Sequence, residues 1–508
     1  MKQKILFCLF LLFTYSLVGW AGIEIRSTRI TMSDGLANNS VRCIYQDSKG
    51  FIWLGTQNGL SRYDGNSFIT FRPQKDRNTS LSDHRVHSLL EDKNGFLWIT
   101  TQADLVSCFD LKSDCFVDYS GNGTAATRHY RKILLTVGNE VWLWGQRDGC
   151  RRVIYKNGHF SVQDFDLNHV FKTNEVNDVL EDGRGRIWFA TDKGLFYWDG
   201  KDMKLVNGAH DLWRLKLYNG NVFCISGNGD LYRCDRQMNF VVLAENTPMR
   251  GLQLTDAMTL KNELYIFTSY GGYCYNMDKG SLKKADSPYD MSNAGIVYDN
   301  LQNCWLYNRT GSLYYVESST GEVTRFKLMP ESNINFIDVE RYQIVQDKHG
   351  VIWITTYGNG LFAYDKNTKE LMHFQTSEND LQGYLGSNFV QALLVDRSGN
   401  VWVSSEYTGL SRISVINEGA TRIYPYGTPS FDWGNAIRML QRNKDGNIYV
   451  GNRNGDVYEY TPDLNHILKA EHFNTNIYAA LTDEKGVEWL CTRVRGLLIG
   501  GKEYRHKA

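Results

Sequence analysis

Proline is scarce, at 7 of 508 residues, and neither sign of charge prevails, since Lys+Arg and Asp+Glu both total 56. A formal charge of zero argues against a nucleic-acid partner, because phosphate binding relies on a basic surface. No Cys-x-x-Cys pair and no Cys/His cluster at metal-ligand spacing occurs, and no glycine box for a nucleotide is present. No metal and no cofactor is therefore expected. Beyond the first 21 residues no apolar run is long enough to span a bilayer. Disorder is excluded too, because 42% of residues are hydrophobic and 13% aromatic.

The one long apolar run stands at the start. Lys2 and Lys4 precede the stretch Ile5 to Val18, and Gly19-Trp20-Ala21 puts small residues where a signal peptidase cuts. Residues 1–21 read as a signal peptide, and the mature chain as exported. Nine cysteines remain after it. Cys108/Cys115 and Cys224/Cys234 each flank a hairpin turn, where they either face one another as disulfides or fill the core as thiols.

What the chain has in abundance is glycine (46), tyrosine (30) and tryptophan (13), the mixture of sheet and tight turns. These residues recur in register. Asp47, Gly50 and Trp53 return as Asp92, Gly95 and Trp98, and again as Asp182, Gly185 and Trp188. Further copies are Asp347, Gly350 and Trp353, then Asp396, Gly399 and Trp402, then Asp483, Gly486 and Trp489. Weaker copies centred on Trp142, Phe223, Tyr265, Trp305 and Tyr449 bring the total to eleven. A period of roughly 40–50 residues suits one four-stranded propeller blade. In each unit an apolar run such as Val41 to Tyr45 forms the strand nearest the axis. Asp-x-x-Gly turns the chain, with glycine taking the left-handed conformation. The Ile-Trp-Leu segment is the second strand, apolar on both faces because neighbouring blades cover both. Its tryptophan reads as a wedge between blades.

The fold class is thus all-β, a β-propeller. Seven units, within residues 22–326, would close one complete seven-bladed ring, which leaves no exposed sheet edge. Four more, in 327–508, would form a partial second propeller, with Lys327 to Asn335 as the linker. A single eleven-bladed ring exceeds the usual four to eight blades.

The string Asp-x-x-Gly-x-Ile-Trp-Ile-x-Thr-x-x-Gly-Leu, preceded by Asp34-Gly35-Leu36-Ala37-Asn38-Asn39-Ser40-Val41, resembles the two-component regulator propeller repeat. The resemblance implies the N-terminal periplasmic sensor region of Bacteroides-type hybrid two-component histidine kinases, truncated before the kinase. Such proteins often sense oligosaccharides, and longer relatives dimerise through downstream domains. Periplasmic ligand sensing with an oligosaccharide as partner is the expectation, without enzymatic activity.

The rival class is a secreted propeller glycoside hydrolase or polysaccharide lyase. Sialidase-type propellers carry a similar Gly-x-x-Trp turn, but here aspartate precedes the glycine by three positions, not two, and such turns are structural. Nothing in the linear sequence selects the paired carboxylates that a glycosidase needs. Ligands are expected on the face where loops enter the inner strands, since those loops vary freely around a concave opening. Candidates there are Asn39, Arg85, Asn174, Arg341, Tyr384, Asn388, Trp433 and Asn435, whose amide, guanidinium and aromatic groups suit sugar hydroxyls and ring faces.

Overall fold

The computed structural model describes residues 24–505, apart from 75–78, 121–128, 146–147, 174, 209, 309–310, 318–321, 329–341, 377–384, 417–435, 463 and 465. The signal-peptide reading lies outside these residues. Each of the eleven repeats forms one four-stranded antiparallel sheet, in chain order along ten of them. We number the sheets 1 to 11. Sheet 9 takes its outermost strand, Glu24–Ile30, from the start of the chain. Trp53, Trp98, Trp142, Trp188, Trp305, Trp353 and Trp402 all lie in second strands, as the register requires. No helix among the described residues is long and apolar enough to cross a membrane.

The chain divides into two compact units, Met1–Val415 and Ile416–Ala508. In the first, nine sheets follow one another, with inner strands Val41–Gln46, Val86–Glu91, Lys132–Leu135, Val176–Glu181, Leu212–Tyr218, Leu254–Leu260, Gly295–Tyr298, Ile344–Gln346 and Val390–Val395. Each adjacent pair shares one apolar cluster, from Trp53 against Leu97 and Phe109 between sheets 1 and 2 to Trp353 against Val390 and Val403 between sheets 8 and 9. The ninth sheet then packs on the first. Trp402 and Leu410 meet Ile30, Val41, Leu54 and Tyr63 in a common cluster, and the Ser404 hydroxyl donates to the Val41 carbonyl at 2.8 Å. The run of sheets closes on itself.

The expected boundary at 326/327 and the seven-bladed count are therefore corrected. Phe326 and Trp305 of sheet 7 are packed with Ile344, Ile352 and Phe362 of sheet 8, an interface like the others. The ring takes in two further sheets before it closes. Among the described residues the second unit holds two sheets, not four, sharing one cluster around Met439, Val457, Ile477 and Leu490. The linker stretch 329–335 lies outside the described residues.

The nine cysteines from Cys43 onward are free thiols. Register explains why: Cys108 stands opposite Val117 and Cys115 opposite Asp110, while Cys224 faces Tyr232 and Cys234 faces Val222. Each pair is offset along its hairpin. Burial pushes Cys43 up to about 12 and Cys304 up to about 12, which keeps both as inert thiols.

Candidate functional site

At the start of the inner strands the ladder slips by one residue. The slip falls between Val86 and Ser88, between Val176 and Asp178, and between Leu212 and Arg214. A bulge of this kind re-aims the extra side chain. The residues concerned are His87, Asn177 and Trp213. Sheet 3 reaches the same level with Arg131, whose backbone N–H donates to the Trp144 carbonyl at 3.0 Å.

These four residues line one cavity of about 830 Å3 in the first unit, together with Asp104, His129, Lys132, Trp144, Gly145, Val176 and Arg214. The wall comes from sheets 2 to 5, from strand starts and from the turns between second and third strands. Its volume lies in the range of ligand sites, roughly 300–1,000 Å3.

The electrostatics are lopsided. Arg131, Lys132 and Arg214 supply three cations, and His87 and His129 add imidazoles. His129 is held by Asp148, whose carboxylate accepts from its backbone N–H at 2.6 Å and meets its Nδ1 at 3.0 Å. Asp178, beside the cavity, accepts from the Leu215 amide at 2.9 Å and from the Val179 amide at 3.1 Å. Desolvation, followed by the Arg214 charge and opposed by Asp178, holds Lys132 below the usual lysine range. The Arg214 guanidinium lies over the Trp213 ring, 4.6 Å from its centroid. Trp144 is 7% exposed, and its buried indole Nε1 has no partner among the described residues. Beneath Tyr130, the buried Arg151 guanidinium is paired with Asp164 at 2.6 Å and faces the Tyr130 ring at 5.4 Å.

Three of the eight candidate residues are described. Asn39 is a brace: its Oδ1 accepts from the Met32 amide at 2.9 Å and its carbonyl from Gly409 at 3.0 Å. Asn388 is another, its Oδ1 accepting from Thr376 at 2.8 Å and its carbonyl from Gly358 and Gly360. Arg85 is exposed and donates to Gln102 Oε1 at 3.3 Å, two positions before the cavity residue His87. Asn174, Arg341, Tyr384, Trp433 and Asn435 lie outside the described residues. The cavity lies at the starts of the inner strands, and of the three described candidates none is in its lining. A signal for the lining residues exists: counting back eleven residues from Trp98, Trp142 and Trp188 gives His87, Arg131 and Asn177.

Four segments, residues 35–58, 80–103, 171–193 and 384–407, match the two-component regulator propeller family. Histidine kinase P4 of Formosa agariphila is 23% identical over 512 residues, covering 76% of this chain and 37% of the kinase. The chain thus spans well under half the length of that relative. Among solved structures, the extracellular domain of a hybrid two-component system from B. thetaiotaomicron is 18% identical, with TM-score 0.34, over 94% of this chain and 71% of its own. Virginiamycin B lyase from Staphylococcus aureus is 13% identical, with TM-score 0.38, over 77% of this chain and all of its own. At these values neither structure bears on activity.

Proposed function

We propose that this chain, which carries two-component regulator propeller repeats, is the ligand-sensing propeller region of a two-component system, works in the periplasm and binds an oligosaccharide. The observation that carries the reading is the cavity at the inner-strand starts of sheets 2 to 5. Four sheets of one closed ring contribute to its wall, so the donors are held on rigid elements. Guanidinium, ammonium, amide and imidazole donors beside Trp213 and Trp144 combine hydrogen bonding with apolar faces, as a sugar requires.

The site is read as binding without turnover. Glycosidases place two carboxyl groups about 5–10 Å apart across the scissile bond, and Asp104 is the one carboxylate on the cavity wall among the described residues. One observation favours the lyase alternative: the oriented His129–Asp148 pair has the geometry of a general base with its partner. Calorimetric titration of residues 22–508 with a panel of oligosaccharides, followed by chromatography of the sugars, separates the readings. Saturable binding with every sugar recovered at its original length is the expected result. Shortened or unsaturated products would establish the enzyme instead, and no heat from any sugar would remove the oligosaccharide.

A further inference from the structure

The chain is neutral overall, with 56 basic and 56 acidic residues, so a local excess of charge calls for its own cause. Arg131 and Lys132 come from sheet 3 and Arg214 from sheet 5, and all three line the same cavity. Among the described residues none of them forms an ion pair. Of the acidic groups near them that do not line the cavity, Asp148 holds His129, Asp178 accepts two backbone amides while its charge acts on Lys132, and Asp256 interacts with the Arg214 charge. Among the described residues Asp104 is the single carboxylate of the wall, against three cations. Like charges gathered in one cavity repel, and such an arrangement costs stability unless a counter-charge arrives. Trp213, under the Arg214 guanidinium, adds an apolar ring at the same place.

We propose that the cavity selects acidic oligosaccharides, with Arg131, Lys132 and Arg214 binding fixed oxyanions on the sugar, either uronate carboxylates or sulfate esters. This inference rests on the oligosaccharide reading above and adds the charge of the ligand and the residues that read it. Guanidinium groups meet carboxylate or sulfate oxygens by charge-assisted, often bidentate hydrogen bonds, about twice as strong as neutral ones.

The test is calorimetric titration of residues 22–508 with oligogalacturonides, sulfated chondroitin oligosaccharides and neutral galacto-oligosaccharides of matched length. Each is repeated with Arg131→Gln, Arg214→Gln and the charge-retaining Arg131→Lys, all checked for an unchanged melting temperature. The expected result is binding of one or both acidic series, weakened about tenfold or more by each Gln variant and less by Arg131→Lys. Raising the salt concentration should weaken binding in parallel. Preference between the two acidic series identifies carboxylate or sulfate as the group read. Equal binding of neutral sugars, or acidic binding untouched by both Gln variants, overturns the inference and leaves the oligosaccharide reading standing. Failure of every sugar to bind overturns both.

Discussion

In sheets 1, 2, 4, 7, 8, 9 and 11 the indole N–H of the second-strand tryptophan donates to an aspartate six residues earlier, at distances from 2.7 Å for Trp53–Asp47 to 3.2 Å for Trp305–Asp299. The other carboxylate oxygen accepts the turn amides, as Asp92 does from Asn94 at 2.8 Å and Phe96 at 3.1 Å. The sequence pattern assigns the aspartate to the turn and the tryptophan to the wedge. The bond between them is legible only once the hairpin is folded, because it spans the turn. Sheet 3 breaks the rule. Thr136 stands six residues before Trp142, its hydroxyl accepts from the Glu140 amide at 2.8 Å, and the buried Trp142 Nε1 has no partner among the described residues. Thr136→Asp keeps that amide contact and supplies the missing acceptor. It should stabilise the first unit by about 1 kcal/mol, the net value of one buried hydrogen bond, read as a higher denaturant midpoint. A lower midpoint would show that the carboxylate costs more to bury there than its bonds return.

The repeat announced eleven sheets and placed their tryptophans, yet it gave no sign of where a ring would close. Every interface is built from the same apolar types, so nothing in composition distinguishes sheet 7 meeting sheet 8 from sheet 9 meeting sheet 1. Closure depends instead on the strand Glu24–Ile30, which pairs with Leu410–Ile416, and on contacts such as Arg29 Nε to the Thr408 carbonyl at 3.1 Å, 379 positions apart. Asn39 serves the same closure, joining the Met32 turn to Gly409. Read from the sequence, its amide suits a sugar. In the folded chain its Oδ1 already has a partner. Asn39→Ala should therefore lower stability by about 0.5–1 kcal/mol, the net value of one solvent-exposed hydrogen bond, while oligosaccharide affinity stays unchanged. Thermal unfolding and calorimetry on the same variant check both halves. The site was legible in part for a related reason. Its face follows from propeller geometry, whereas the spacing of eleven residues from His87 to Trp98 and from Asn177 to Trp188 gains its meaning only from the one-residue bulge of the folded strands.

The two units differ in how completely their sheets are covered. The first has nine interfaces for nine sheets, and tryptophans such as Trp53, Trp188 and Trp353 are fully buried there. The second has one interface for two sheets, leaving Leu440 at 72%, Leu481 at 59% and Val494 at 70% exposed. Open sheet edges and uncovered apolar faces favour local opening. Limited proteolysis should accordingly yield a resistant fragment ending near residue 415. A stable fragment ending near 326 would instead mean that seven sheets form the cooperative unit. Hydrogen exchange with mass spectrometry tests, without altering a residue, whether the cavity of the first unit holds the ligand. Saturating residues 22–508 with a bound acidic oligosaccharide should slow exchange at 85–88, 129–132, 175–178 and 212–215, where four sheets present their strand starts to one ligand. Protection confined to other sheets, with these four segments exchanging as in the unliganded protein, would contradict the account.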